Sequence, residues 1–243
     1  FTLRDGVAFE TGDPITCADI KYGVSRTFAT DIITGGPTYA ISMLDIPKDD
    51  EGNSQYAGPY KGTGQDLYDK AVTCSADGKT ITFNLSRPVP DFNYTTTLAA
   101  FAPVPQAADT GEKYDDKPVA SGPYKIPVYK KGKGGQMVLV RNDKWTQASD
   151  DYRKAYPDSW EVDFGIEDQV IDQRLIQGAP ADQTAISTLL TPESLPVVFN
   201  DPKFADRRIK HLVAAGMVPV IVGGWGRPQG GGKSTLAQVG LDD

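Results

Sequence analysis

Histidine is nearly missing from this sequence: among 243 residues there is one, His211. It stands in a Lys/Arg-rich stretch with no second histidine and no cysteine nearby. Zinc is held by several converging nitrogen, sulfur or carboxylate ligands, so zinc chemistry finds no donor set here. As a general base His211 would need a nucleophile, and the G-x-S-x-G elbow is absent. His211 reads as a surface or helix-end residue. The 32 acidic residues single out no glycosidase pair, because that assignment needs a separation in space. No catalytic residue, metal site or cofactor is therefore expected.

Cysteine is scarce too. Cys17 and Cys74 are the only pair and form no C-x-x-C motif. Two cysteines so far apart read as one disulfide in an exported protein or as two unrelated buried thiols in a cytosolic one. Long apolar runs are also lacking. The longest, Leu212 to Val222, is broken by Gly216 and Pro219 and is too short to cross a bilayer. Positive charge is in deficit, with a formal net charge of −7. The densest basic stretch, Lys125 to Lys133, holds four lysines among glycines and reads as a solvated hairpin tip. A phosphate backbone would be repelled, so no nucleic-acid partner is expected.

What is present suits a loop-rich globular protein. Hydrophobic residues make up 39% and charged residues 23%, with 25 glycines and 18 prolines. That composition fits a mixed α/β (α+β) fold of one large or two small domains.

Phe1 to Arg4 alternates apolar and polar residues, and Val7 and Phe9 follow the Asp5-Gly6 turn. Opening inside a strand, with no Met and no signal peptide, implies further sequence upstream. Thr16 is an N-cap candidate with Asp19 in a capping-box position. Cys17, Ile20, Val24 and Phe28 then share one face of a helix expected over 17–29. Residues 31–65 are polar and hard to assign, although Thr38 to Leu44 could be helical. Ala71 to Cys74 and Thr80 to Leu85 form a hairpin around Ser75-Ala76-Asp77-Gly78. Ile81, Phe83 and Leu85 point to a core, and parity with Val72 turns Cys74 inward as well. With both cysteines on buried faces, a bridge and two inert thiols remain equally open.

Asp91 to Phe101 reads as a short helix. Tyr124, Ile126 and Val128 alternate, Gly132 to Gly135 turns, and Met137 to Arg141 returns. Trp160, Val162 and Phe164 make a further strand. Ile166, Val170, Ile171, Leu175 and Ile176 form a helical stripe ending at Gly178, a C′ glycine. Near the end, an apolar strand over Met217 to Val222 precedes Gly230-Gly231-Gly232-Lys233-Ser234-Thr235, the outline of a phosphate loop. This makes a nucleotide-binding protein using residues 226–235 the alternative reading. The pattern G-x-x-x-x-G-K-[ST] requires glycine where Arg227 stands. Too little sequence follows Lys233 to complete a phosphate site. A flexible glycine-rich tail is the simpler reading.

Four segments in order resemble one family. Phe1 to Phe9 with Gly12 to Tyr22, including Thr16-Cys17-Ala18-Asp19, is similar to the "LRdGvkFsdGtpltAeDvky" stretch of family 5 bacterial solute-binding proteins. Thr80 to Pro90 is similar to that family's "ytvtfkLkkPvp", Ser121 to Lys125 to its "GtGPYkl", and Val140 to Trp145 to its "RNpdYW". The likeness covers roughly residues 1–209 and then fades. It implies one incomplete lobe of the type II periplasmic-binding-protein kind. Residues 1–120 would be the smaller subdomain of the first lobe, 121–209 the return to its main sheet, and 210–243 an atypical glycine-rich segment. It also implies an extracytoplasmic, lipoprotein-anchored component of an ABC importer that closes on a solute and delivers it to the membrane permease. The protein itself would perform no chemistry. Peptides dominate the family's ligands, beside nickel chelates and oligosaccharides. The resemblance implies a Cys17–Cys74 disulfide and points to Tyr39, with Tyr94 and Phe101, as ligand contacts.

Overall fold

A computed structural model describes residues 1–182, 190–209 and 220–221. It is a mixed α/β structure that divides into two compact units. The first comprises Phe1–Lys131 with Gln136–Val162, and the second comprises Gly132–Gly135 with Asp163–Asp243.

In the first unit the chain enters as an edge segment. Phe1 and Ile81 exchange both backbone bonds, at 2.8 and 2.9 Å. Helix α1 (Cys17–Arg26) starts as expected: the Asp19 carboxylate accepts the Thr16 N–H at 2.8 Å and the Thr16 hydroxyl at 2.7 Å. The helix stops at Arg26 rather than at 29, because the N–H groups of Phe28 and Ala29 reach back only three residues, to Ser25 and Arg26. Its inner face carries Cys17 and Val24, and Phe28, two residues past its end, is buried in the same core. Gly23 is buried on the helix as well, and a Cβ there would collide with the Ala102 carbonyl. The glycine lets the extended segment after Phe101 lie against the helix, where Val104 N–H donates to Asp19 O at 3.0 Å.

Helix α2 (Tyr39–Met43) is the helical segment expected over 38–44. Helix α3 (Gln65–Ala71), not foreseen, leads directly into β1 (Val72–Cys74). Strand β1 pairs antiparallel with β2 (Ile81–Phe83), Val72 opposite Phe83 and Cys74 opposite Ile81. Phe28, Tyr56 and Tyr68 form the aromatic heart of this core. The two tyrosine rings are stacked at 4.5 Å, and Phe28 lies 5.2 and 5.7 Å from them. The expected helix over 91–101 is two short pieces, α4 (Phe92–Thr95) and a 3₁₀ turn at Ala99–Phe101.

The disulfide is formed, with Cα atoms 5.8 Å apart. One expectation about it fails. Cys74 is exposed, although it shares parity with buried Val72. The hairpin is short, and the burying face ends where β1 runs out to its turn.

Strands β3 (Tyr124–Lys130), β4 (Gln136–Arg141) and β5 (Ser159–Asp163) form a sheet in that order. The register of β3 against β4 slips between Lys125 and Val128. Pro127 lies in that interval, and a residue without an N–H is tolerated at a bulge.

In the second unit α5 (Asp168–Gln177) ends on Gly178, whose φ of 64° is left-handed and whose N–H donates to Arg174 O at 3.0 Å. The expected apolar stripe is only partly buried. Leu175 is in the core, but Val170 is exposed, and the place beside Leu175 is taken by Asp172. That carboxylate is buried because it accepts the Thr191 N–H and hydroxyl, both at 2.8 Å, just before α6 (Ser194–Asn200). A two-residue pair, β6 (Arg208–Ile209) with β7 (Val220–Ile221), closes the described part. His211 and Gly230 to Thr235 lie outside the described residues.

Candidate functional site

The most organised polar site in the first unit is one that the sequence did not announce. Tyr22 and Arg26 sit one turn apart on α1. Tyr60 comes from the loop before α3, and Asp109 from the segment after the Ala102–Pro105 stretch. Asp109 Oδ2 accepts the Tyr60 hydroxyl at 2.6 Å and the Tyr22 hydroxyl at 2.7 Å, with Arg26 Nε at 3.2 Å. Its Oδ1 accepts the Gly111 N–H at 3.0 Å. Arg26 also donates to the Tyr60 hydroxyl and to Gly111 O, both at 3.0 Å, and its guanidinium stands over the Tyr114 ring at 4.7 Å.

Burial acts to raise the Asp109 pKa. The hydrogen bonds from Tyr60, Tyr22 and Gly111, with the Arg26 charge, reverse that and hold it below the usual carboxylate range. Burial first, then donation to Asp109, pushes the Tyr22 hydroxyl far above its ordinary value. Four donors hold this carboxylate charged, and its side chain is almost wholly buried. The cluster is a clasp holding the 105–120 segment on α1, not a general base. Glu10 adds to it, accepting the Ala120 N–H at 3.2 Å.

The three expected ligand residues fall in two settings. Tyr39 opens α2 and is 44% exposed, while Tyr94, on α4, is 82% exposed. Phe101 is 5% exposed, its ring edge-on to Phe83 at 5.7 Å and to Phe92 at 5.8 Å. The structure brings Tyr94 and Phe101 together through Phe92, which shares a helix with one and packs on the other. Tyr39 is held on a separate helix, anchored where Ser86 N–H donates to Met43 O at 3.0 Å and Leu44 bridges Leu85. Tyr39 and Tyr94 are thus exposed on braced backbone, whereas Phe101 is buried against Phe83 and Phe92. Among the described residues, no group of three or more His, Cys, Asp or Glu is arranged to hold a metal ion.

The four motif segments are the N-terminal edge and α1, the β2 strand, the start of β3 and the end of β4. They occupy successive places in one unit and belong to one matched stretch. The model of the bacterial extracellular solute-binding proteins, family 5 (middle region), matches residues 1–214. The chain belongs to that family.

Among curated relatives, the oligopeptide-binding protein OppA of Bacillus subtilis (strain 168) is 29% identical over 150 residues, covering 60% of this chain and 25% of that protein. The solved structure of clavulanic acid biosynthesis oligopeptide binding protein 2 is 39% identical with a TM-score of 0.64, over 73% of this chain and 30% of the other. OppA of Burkholderia pseudomallei, at 20% identity and a TM-score of 0.60, shares the fold over 87% of this chain and 38% of its own. The chain therefore spans about a quarter to two fifths of the length of these relatives. None of these matches supports nucleotide binding at residues 226–235.

Proposed function

We propose that the chain is part of the extracytoplasmic capture component of an ABC importer. It would hold a peptide-like solute in a cleft and pass it to the membrane permease, performing no chemistry of its own. The observation that carries this reading is the family 5 match over residues 1–214, among relatives named for oligopeptide binding. In it, residues 1–120 are the smaller subdomain of the first lobe and 121–209 the return to its main sheet. Tyr39 and Tyr94 contact ligand, Phe101 sets the position of α4, and a lipid anchor keeps the protein at the cell surface.

Binding proteins of this type shift an open–closed equilibrium when ligand touches both lobes. The test is calorimetric titration of the intact protein with a mixture of short peptides. Saturable binding that sharpens on fractionating the mixture supports the reading. Heat only with magnesium nucleotide would replace it.

A further inference from the structure

The Cys17–Cys74 bridge has two unlike ends. Cys17 is the first residue of α1 and has no exposed surface, while Cys74 ends β1 as an exposed residue. In thiol–disulfide exchange an external thiolate attacks one sulfur and expels the other. Access selects the sulfur attacked, and the more stable thiolate leaves. Exposure favours attack on the Cys74 side. At Cys17 the first-turn position on the ten-residue α1 favours a departing thiolate, whereas burial in the apolar core opposes one, so access decides the direction.

The surroundings also keep the two ends in place once the bond is gone. Cys17 N–H donates to Gly78 O at 2.8 Å, tying α1 to the hairpin turn, and Ser75 N–H donates to Thr80 O at 2.9 Å within that turn. The Cys17 sulfur lies 3.9 Å from Thr73 O, so a reduced thiol keeps a carbonyl to face. The β1–β2 ladder and the paired Phe1–Leu3 edge do not pass through the bridge.

We propose that Cys17–Cys74 is a directional redox site for low-molecular-weight thiols, opening at Cys74 while the fold stands. A thiolate forms a bond to Cys74 Sγ. The Cys17–Cys74 bond breaks, and Cys17 leaves with the electron pair and takes up a proton, supplied from solvent as the two ends separate. A second thiol molecule then attacks the mixed disulfide, releasing the oxidised thiol dimer and a free Cys74. The protein gains two electrons and two protons, and two thiol molecules become one disulfide. The idea is independent of which solute is bound.

The test exposes the intact native protein to reduced glutathione, quenches with acid, blocks free thiols and maps the adduct by peptide mass spectrometry. The expected result is glutathione on Cys74 in at least about tenfold excess over Cys17, with the near-UV circular dichroism retained. Two single-cysteine variants give a second reading. The Cys17→Ser protein, which leaves Cys74 free, should be labelled by oxidised glutathione about tenfold faster than the Cys74→Ser protein. Equal adducts on both cysteines, reaction only after unfolding, or loss of the near-UV signal on reduction would each overturn the proposal.

Discussion

The Tyr60 hydroxyl donates to Asp109 Oδ2 across 2.6 Å and at the same time accepts from Arg26 Nε at 3.0 Å. One phenol therefore relays between the two charges of a buried pair that is also in direct contact. The Asp109 side chain is 2% exposed and that of Arg26 14%. Removing one partner of such a pair leaves the other charged and unsolvated, which costs about 3–5 kcal/mol. We expect Asp109→Ala to destabilise the protein by that amount in urea unfolding. Tyr60→Phe, which leaves the Tyr22 and Gly111 donors in place, should cost only about 0.5–1.5 kcal/mol. Equal losses from the two variants would mean that the clasp is not the unit described.

The same carboxylate sets an acid limit. Its folded pKa is depressed, so the folded state holds it charged more strongly than the unfolded chain does, where an aspartate titrates near ~3.9. Below that pH the unfolded state binds more protons, and stability falls as pH falls. The contribution is complete above about pH 4 to 5 and disappears as pH drops through the depressed folded value. Asp150 acts in the same direction. Burial opposes its charge, but the Arg153 and Tyr152 N–H groups and the Arg153 guanidinium bring its pKa to about 2. Asp109→Asn should flatten the pH dependence of the unfolding midpoint in the acid range and leave it unchanged near neutrality. An unchanged acid slope would remove Asp109 from this role.

Signals of short range were legible in the sequence. The Thr16–Asp19 box, the Cys17/Val24 face, the β1–β2 hairpin and the left-handed Gly178 each depend on residues a few positions apart. The Asp109 clasp was not legible, because its members lie on a helix and two irregular segments with no period linking them. The same holds for Tyr56 stacked on Tyr68, since residues 45–65 carry no pattern and are ordered by what they pack against. Parity failed at Cys74 for a related reason: alternation says which way a side chain points, not whether the sheet extends far enough to cover it. At Asp172 the stripe misled because a buried carboxylate with two donors takes a place that periodicity reserves for an apolar residue.

The disulfide should carry a measurable share of stability. It closes a loop across a sequence separation of 57, for which chain entropy sets an upper figure of about 4 kcal/mol and disulfides typically deliver about 2–4 kcal/mol. The double Cys17→Ser, Cys74→Ser variant should unfold at lower denaturant by that margin while keeping its far-UV spectrum. The wild-type protein under reducing agent should match it. A variant as stable as the wild type would mean that the bridge adds nothing beyond the hairpin and α1 packing around it.

The ligand assignment separates from the packing assignment by substitution at Tyr94 and Phe101. Tyr94 is 82% exposed, so truncating it removes little buried area, and Tyr94→Ala should change stability by no more than about 0.5 kcal/mol. Phe101 is buried against two rings, and Phe101→Ala should cost about 3–5 kcal/mol through the cavity it leaves. If Tyr39 and Tyr94 contact a peptide, Tyr39→Ala and Tyr94→Ala should each weaken peptide binding about tenfold, since a stacked aromatic contributes on the order of 1 kcal/mol or more. Their thermal midpoints should stay at the wild-type value. Phe101→Leu keeps most of the volume and should retain binding. Weakened binding in Phe101→Leu with none in Tyr94→Ala would move the contact from the exposed ring to the buried one.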